Sequence, residues 1–221
     1  MRPKNCFSVL LLLSALSASQ SKAASICNAL PGNVVRNCGF ETGNLTGWSL
    51  SGNLEGGASG NYFGVTSGLQ NSGNFSGYFG VQGGEGTNIG TLGPFLKLSQ
   101  TVPVLNNEYY SFTFYLQDFT APTTGYIQYF DASVNGRQLL VLQNPSNPSL
   151  IGAYEKFSFI TVPGSLNSRM ADIAFNFQND DSLWFLDDVS LTSVGPVPEP
   201  SSLLLVAPAL GALFFLRRRT S

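Results

Sequence analysis

Two adjacent aspartates, Asp187 and Asp188, are the residues whose type and spacing most directly suggest chemistry in this sequence. They lie in an otherwise apolar segment, between residues 184–186 and Val189. Neighbouring carboxylates in such a segment repel each other unless a cation or hydrogen-bond donors compensate their charge. Calcium binds carboxylate oxygens readily, so a structural calcium ion is one interpretation. In the alternative, one aspartate faces solvent and the other hydrogen-bonds the backbone of the first strand.

The complete absence of histidine limits the catalytic chemistry that is available. Ser-His-Asp and Cys-His nucleophiles are excluded, and zinc hydrolysis would have to proceed without imidazole. The remaining enzymatic alternative is a glycoside hydrolase or lyase with paired carboxylates, for which Glu85, Glu108 and Glu155 are the available acids. Each lies in a polar loop, whereas the pKa of a catalytic acid is raised by apolar surroundings. The sequence therefore favours a function without catalysis.

The N-terminus has the layout of a secretory signal peptide. Arg2 and Lys4 precede an apolar stretch, residues 7–16, which is followed by small residues. Signal peptides are cleaved after a small residue that has another small residue two positions before it, and Ser21 and Ala23 fit this pattern. Cleavage after Ser19 is an alternative. We therefore expect residues 1–23 to be a signal peptide and the rest of the chain to be exported.

The C-terminus combines an apolar run with a basic end. Residues 203–216 are all apolar or small, and as a helix they would rise ~21 Å, which is short for a hydrocarbon core of ~30 Å. Arg217, Arg218 and Arg219 follow directly and are expected to stay on the cytoplasmic side of the membrane. In the alternative, this segment is a buried C-terminal helix of a soluble domain.

Pro198, Glu199 and Pro200 precede this run and complete a recognisable tail. The triplet, the apolar helix and the arginine cluster together resemble the PEP-CTERM sorting signal of Gram-negative bacteria, a tail also found in ice-binding proteins. The resemblance covers residues 197–221 and implies that an exosortase in the inner membrane processes the exported protein. It also implies a transient membrane anchor, followed by a cell-surface or extracellular location.

The segment between the two termini is acidic. Residues 24–197 contain five basic and twelve acidic residues, a net charge of about −7 that the −2 of the whole chain conceals. So few cations cannot neutralise many phosphates, and nucleic acid is therefore excluded as a partner. Cys27 and Cys38, with ten residues between them, are expected to form a disulfide in an exported chain. The alternative, a metal-binding cysteine pair, lacks further soft ligands.

Alternating apolar and polar residues predict β-strands throughout this central domain. Residues 110–116 and 172–178 alternate most clearly, and residues 156–162 and 183–191 supply two more strands. Asn135-Gly136, between residues 126–134 and 137–142, predicts a two-residue hairpin. No segment has convincing helical periodicity. Residues 24–196 are therefore predicted to form a single all-β domain.

A glycine-rich region, residues 51–94, contains 14 glycines and two copies of the sequence YFGV. It is interpreted as flexible loops over a β scaffold, or as a degenerate hairpin repeat. Aromatic residues on such loops could stack on sugar rings, which makes Tyr62 and Tyr78 candidate ligand-binding residues. Trp48 is a further candidate, expected to be half-exposed at a loop end, whereas Trp184 is expected in the core. Asp180 and Asp181 are expected in a solvated turn.

Three segments of the domain resemble carbohydrate-binding-module-like jelly rolls, which are related to galactose-binding-like domains. They are NCGFETGNLTGW (residues 37–48), LSQTVPVLNNEYYSFTFYL (residues 98–116) and LWFLDDVSL (residues 183–191). The resemblance implies a jelly-roll β-sandwich. It also implies that Glu41 lies close to Asp187 and Asp188 and that the three hold a structural calcium ion.

The combined expectation is an exported, exosortase-sorted protein of the cell surface or extracellular matrix, associated with exopolysaccharide or biofilm. Its β-sandwich would bind carbohydrate without catalysis, because Tyr and Trp faces stack on pyranose rings. The alternatives are the paired-carboxylate enzyme above and a purely structural surface protein with no discrete ligand.

Overall fold

A computed structural model describes residues 24–54, 62–80, 92–93, 95–121, 124–145, 149–161, 169–180 and 182–196. The signal peptide, the Pro198-Glu199-Pro200 triplet, the apolar tail and Arg217 to Arg219 lie outside these residues, as do Glu85 and Asp181. Within the described part, no helix is long and apolar enough to cross a membrane.

The described residues form one short helix and ten strands. The helix α1 spans Ile26–Ala29. The strands are β1 (Ser49–Gly52), β2 (Phe63–Thr66), β3 (Ser76–Phe79), β4 (Leu96–Pro103), β5 (Glu108–Asp118), β6 (Gln128–Val134), β7 (Arg137–Gln143), β8 (Glu155–Thr161), β9 (Met170–Asn179) and β10 (Trp184–Pro196). The all-β prediction is thus confirmed, and the single helical turn of α1 was not predicted.

The strands form two antiparallel sheets that pack face to face. Sheet 1 has the order β1-β4-β9-β6-β7 and sheet 2 the order β2-β3-β10-β5-β8. From β3 to β10 the chain alternates between the sheets, except at the β6–β7 hairpin. This order, β4-β9-β6-β7 against β3-β10-β5-β8, is that of an eight-stranded jelly roll. The predicted jelly-roll β-sandwich is therefore present.

The β6–β7 hairpin turns at Asn135 and Gly136, as the sequence predicts. Both residues have positive φ angles, 50° and 74°. A two-residue turn with this geometry matches the right-handed twist of the paired strands, and asparagine and glycine adopt it at little cost.

The core is built from phenylalanines that the alternating pattern directs inward from both sheets. Phe114 of sheet 2 lies with its ring centroid 5.7 Å from that of Phe130 and 5.2 Å from that of Phe175, both in sheet 1. Phe79 of sheet 2 stacks on Phe177 of sheet 1 at 4.5 Å. Aromatic contacts between the sheets therefore hold the sandwich together.

Cys27 and Cys38 form the predicted disulfide. Both cysteines are almost fully buried, and Val189 N in β10 donates a hydrogen bond of 2.9 Å to Cys38 O. The disulfide therefore joins α1 to the segment around Cys38, and the hydrogen bond from Val189 attaches that segment to β10.

Two expectations about individual side chains are wrong. Trp48 is 8% exposed because its ring packs between Phe40 and Phe175, with centroid distances of 5.9 and 6.2 Å, and its indole N–H donates to Asn37 O. Asp180 is 3% exposed and does not lie in a solvated turn. Trp184, by contrast, is fully buried, as predicted.

Candidate functional site

An open groove lies on the outer face of sheet 2, near the start of β10. It has a volume of about 400 Å³. Its lining consists of apolar and aromatic residues with one threonine: Val65, Thr66, Leu69, Tyr78, Phe119, Leu183 and Phe185. Because none of the described lining residues is charged, the groove suits an uncharged ligand with apolar faces.

Tyr78 forms a flat platform in this groove. In the sheet it pairs with Gly64 on one side and with Phe185 on the other. A Cβ atom at Gly64 would lie 2.7 Å from Tyr78 Oη and 2.9 Å from Tyr78 Cζ, so the tyrosine ring lies across the glycine. Glycine is therefore required opposite Tyr78 for the ring to lie against the sheet.

Phe119 and Phe185 supply the remaining aromatic surface. Their ring centroids are 5.8 Å apart, and Phe119 is 49% exposed although it is a large apolar residue. Phe185 points outward because its neighbours Trp184 and Leu186 are core residues. Sequence reasoning missed both phenylalanines. The alternation around Phe185 was a usable signal, since Trp184 was placed in the core.

The other two aromatic candidates do not line this groove. Tyr62 precedes β2 and accepts a hydrogen bond of 2.7 Å from Gly80 N through its carbonyl oxygen. Trp48 belongs to the core between the sheets, where a ligand in the groove cannot reach it. Of the three predicted aromatic residues, only Tyr78 is part of the groove.

The carboxylate of Asp187 is fully buried and accepts three backbone N–H groups. Asp188 N donates to Oδ1 at 2.7 Å, and Asn71 N and Ser72 N donate to Oδ2 at 2.8 and 3.2 Å. Burial and the nearby charge of Asp188 raise the pKa of Asp187 to about 8, although the backbone donors act in the opposite direction. The aspartate thus fixes the loop between β2 and β3.

The carboxylate of Asp188 connects the same loop to the N-terminal segment. Oδ1 accepts Ser25 Oγ at 2.9 Å and Cys27 N at 3.1 Å. Oδ2 accepts Asn71 Nδ2 at 2.8 Å and Ser72 Oγ at 2.6 Å. Asp188 has a φ of 48° and lies at an irregularity in the pairing of β10 with β5. Consecutive residues of a regular strand point to opposite faces of the sheet. The irregularity interrupts this alternation, so Asp187 and Asp188 can both hydrogen-bond the loop between β2 and β3.

Glu41 holds the end of the loop from a separate position. Its carboxylate accepts Asn74 N at 2.9 Å, Phe75 N at 3.2 Å and Asn74 Nδ2 at 3.0 Å. Within the described residues, no three His, Cys, Asp or Glu side chains form a group that could hold a metal ion. The three acids predicted to bind calcium are thus not brought together as one ligand set. Calcium binding by Glu41, Asp187 and Asp188 stays a prediction.

The three acids nevertheless shape the groove, because the loop that they fix contains Leu69. Leu69 O accepts hydrogen bonds from Ser76 Oγ at 2.8 Å and from Tyr154 Oη at 2.7 Å. The Leu69 side chain forms one wall of the groove beside Tyr78. The three acids therefore fix the loop that supplies one wall of the groove.

Glu108 and Glu155 cannot act as a catalytic pair. Glu108 begins β5, whereas Glu155 pairs with Leu116 near the other end of that strand. Glu108 and Leu116 are eight strand positions apart, a distance of ~26 Å along β5. The two catalytic carboxyl groups of a glycosidase lie within ~10 Å of each other, so Glu108 and Glu155 are too far apart. Glu155 accepts Ser149 Oγ and Glu108 accepts Ser193 Oγ, so both have local partners on the surface.

A polar network on the outer face of sheet 1 is a further feature that the sequence did not reveal. Asp131 accepts Tyr129 Oη at 3.0 Å and Asn176 Nδ2 at 3.0 and 3.1 Å. Burial, together with the hydrogen bond and charge of Asp131, raises the pKa of Tyr129 to about 12. Phe95 stacks on Tyr129 at 4.5 Å. Tyr129 and Asp131 are only 7% and 2% exposed, so this network is closed to ligands in the present conformation.

No family model matches the sequence, and no curated protein matches it significantly. Solved structures do resemble the fold. The enzymatically active domain of tailspike protein 4 from bacteriophage CBA120 matches with a TM-score of 0.50 and 17% identity, over 73% of this chain. The match covers 21% of the tailspike chain, so this chain spans about a fifth of that protein's length.

Two further structures match at lower TM-scores. TmCBM61, solved in complex with β-1,4-galactotriose, has a TM-score of 0.48 and 15% identity, over 73% of this chain and 98% of its own. The K1 cleaved adhesin domain of Lys-gingipain from Porphyromonas gingivalis has a TM-score of 0.48 and 20% identity, over 71% and 96%. At such identities the likeness concerns the fold, and the site must be argued from this chain's own residues.

Proposed function

We propose that this protein is a non-catalytic carbohydrate-binding β-sandwich whose groove at Tyr78 binds neutral glycans. The observation that carries the proposal is the Tyr78 ring lying across Gly64 in an uncharged aromatic groove. The apolar face of a pyranose ring packs against such a platform, and Tyr78 Oη and Thr66 Oγ1 offer polar contacts to sugar hydroxyls. A volume of about 400 Å³ suits a short stretch of a glycan chain.

Retention on a panel of neutral polysaccharides tests this proposal. We expect Tyr78→Ala to weaken binding at least tenfold, equivalent to about 1.4 kcal/mol, because the stacking surface is removed. Tyr109→Ala is the matched control, since Tyr109 is also half-buried on sheet 2 but lies near the opposite end of β5. The control should bind like the unaltered protein.

Two results would contradict the proposal. Equal retention of Tyr78→Ala and the unaltered protein would favour a structural role without a discrete ligand. Release of sugar fragments during incubation would show an enzyme, although the separation of Glu108 and Glu155 argues against that pair.

We further propose that the domain acts outside the cytoplasm, in association with extracellular polysaccharide. The signal-peptide layout of residues 1–23 supports export. The likeness of residues 197–221 to PEP-CTERM tails supports processing by an exosortase, with the apolar run as a transient membrane anchor. The disulfide is consistent with an oxidising compartment.

A further inference from the structure

A second pocket lies on the outer face of sheet 2, between α1 and the strands β5, β8 and β10. Its volume is about 220 Å³. Sites for drug-sized ligands have volumes of ~300–1,000 Å³, so this pocket suits a smaller group such as a single sugar unit. Phe185 of the glycan groove pairs with Gln117, whereas this pocket contains Thr113, ~13 Å further along β5. The pocket is therefore separate from the groove at Tyr78.

Hydroxyl groups from three neighbouring strands line this hydroxyl pocket; they belong to Ser111, Thr113, Ser158, Ser190 and Thr192. Thr113 Oγ1 lies 2.8 Å from Ser158 Oγ, and Ser111 Oγ lies 3.4 Å from each of the two. A hydroxyl group has one proton and two lone pairs, so these three groups can bond one another while each keeps a lone pair. The sheet thus presents closely spaced acceptors to the hydroxyl groups of a ligand.

Apolar residues form the side of the hydroxyl pocket that borders the N-terminal segment. Ile26 of α1 and Leu30 just after it line the pocket and are 43% and 39% exposed. A sugar ring carries hydroxyl groups at its edge and C–H groups on its faces. A row of hydroxyl groups beside an apolar wall therefore matches a sugar ring in its chemistry.

Lys156 is the basic residue of the hydroxyl pocket. Strand alternation directs it outward, because the next residue, Phe157, packs against the core. Within the described residues no acid forms an ion pair with Lys156, and the adjacent Glu155 accepts Ser149 Oγ instead. Residues 24–197 contain twelve acidic and only five basic residues. A lysine without a carboxylate partner in so acidic a domain is available to an acidic ligand.

We propose that the hydroxyl pocket binds an acidic sugar unit, a uronic acid, whose carboxylate contacts Lys156. The hydroxyl groups of the sugar hydrogen-bond Ser158 and Thr192. Its apolar face packs against Ile26 and Leu30. This site extends the proposed function from neutral to acidic glycans, and it does not require the groove at Tyr78.

The acids of the domain do not prevent this contact. Asp188 lines the hydroxyl pocket, but its carboxylate oxygens accept four hydrogen bonds from the N-terminal segment and the β2–β3 loop. Physiological salt screens exposed charges beyond ~8 Å. Because the domain carries a net charge of about −7, it has no general attraction for polyanions, and retention on an acidic polymer would report a local site.

Binding of the full-length chain to polygalacturonate, and to the same polymer after methyl esterification, tests the proposal by affinity electrophoresis. Esterification removes the charge of the carboxylates and leaves the sugar hydroxyl groups in place. We expect the acidic polymer to bind about fivefold more tightly, as for an exposed ion pair. The preference should shrink as the salt concentration rises, because Lys156 is exposed.

Substitutions locate the acidic sugar. Lys156→Gln should bind the two polymers equally. Lys97→Gln is the matched control and should keep the preference, because it removes the same charge from β4 on the outer face of sheet 1. Ser158→Ala should weaken binding to the acidic polymer about threefold. Tyr78→Ala should keep the preference, so the result does not depend on the groove.

Equal binding of the two polymers by the unaltered protein would overturn the proposal. Loss of the preference in both Lys156→Gln and Lys97→Gln would also overturn it, because the preference would then reflect total charge. A preference that disappears in Tyr78→Ala and persists in Lys156→Gln would assign the acidic sugar to the groove instead.

Discussion

Gly64 shows how one residue can determine the shape of a binding surface. A side chain there would collide with the Tyr78 ring, which would then have to rotate away from the sheet. The exposed aromatic face thus depends on a residue without any functional group. A sequence offers no indication of this dependence, because the two residues lie fourteen positions apart.

Asp187 carries the clearest pH dependence of the described residues. Its pKa in the folded protein, about 8, is higher than the ~3.9 of an unfolded chain. The folded state therefore favours the protonated form, and this contribution to stability is complete below pH 4 and is lost as the pH rises to 8. With chelator present, the free energy of unfolding should fall across this range with a slope of up to ~1.4 kcal/mol per pH unit.

Asp187→Asn should flatten this slope relative to the unaltered protein, as measured by urea unfolding at pH 4 to 8. Asp172→Asn, a half-exposed aspartate on the outer face of sheet 1, should leave the slope unchanged. An identical slope in Asp187→Asn would show that the three backbone donors keep Asp187 ionised throughout.

At the scale of elements, the β2–β3 hairpin depends on contacts from outside itself. Parts of its two YFGV copies face each other, with Phe63 paired with Phe79 and Gly64 with Tyr78. The connecting loop is fixed by Glu41, Asp187 and Asp188. A short hairpin of this kind is marginally stable alone, so the carboxylates provide the order that its glycine-rich sequence lacks.

The disulfide closes the N-terminal segment, and Asp188 holds this segment to β10. The double substitution Cys27→Ser and Cys38→Ser should lower the free energy of unfolding by about 2–3 kcal/mol, because a short closed loop is released in the unfolded state. Calorimetry should show a melting temperature lower by about 5–10 °C. An unchanged melting temperature in the double variant would mean that Asp188 alone holds the segment.

At the scale of the whole molecule, the jelly-roll order separates the groove from the end of β10. The groove lies at the start of β10, whereas Pro196, the last residue of β10, pairs with Glu108 near the opposite end of β5. A tail that continues from Pro196 therefore leaves the domain far from Tyr78. This arrangement is compatible with both the proposed membrane anchor and the proposed glycan groove.

Processing of the two termini can be measured directly. In a Gram-negative host with an exosortase, intact-mass analysis should find a secreted species that begins near residue 24 and ends near Pro198. Without the exosortase, the C-terminal residues should remain and the protein should stay with the membrane fraction. A full-length species in the cytoplasm in both hosts would contradict export and sorting.

The sequence alone determined the fold class and most strands, because inward-facing and outward-facing residues alternate within a few positions of each other. Phe112 and Phe114 mark the inner face of β5 in this way, and Asn135-Gly136 encodes its own turn. The absence of histidine likewise excluded whole classes of catalysis without any structure. Local patterns suffice for such conclusions.

Only the tertiary structure decided the roles of individual polar and aromatic residues. Trp48 is part of the core because Phe40 and Phe175, from distant segments, enclose it. Asp180 is buried because Ile127 and Gln178 donate to it. Burial and hydrogen bonding depend on partners that folding brings together from elsewhere in the chain, and no local pattern of residues encodes them.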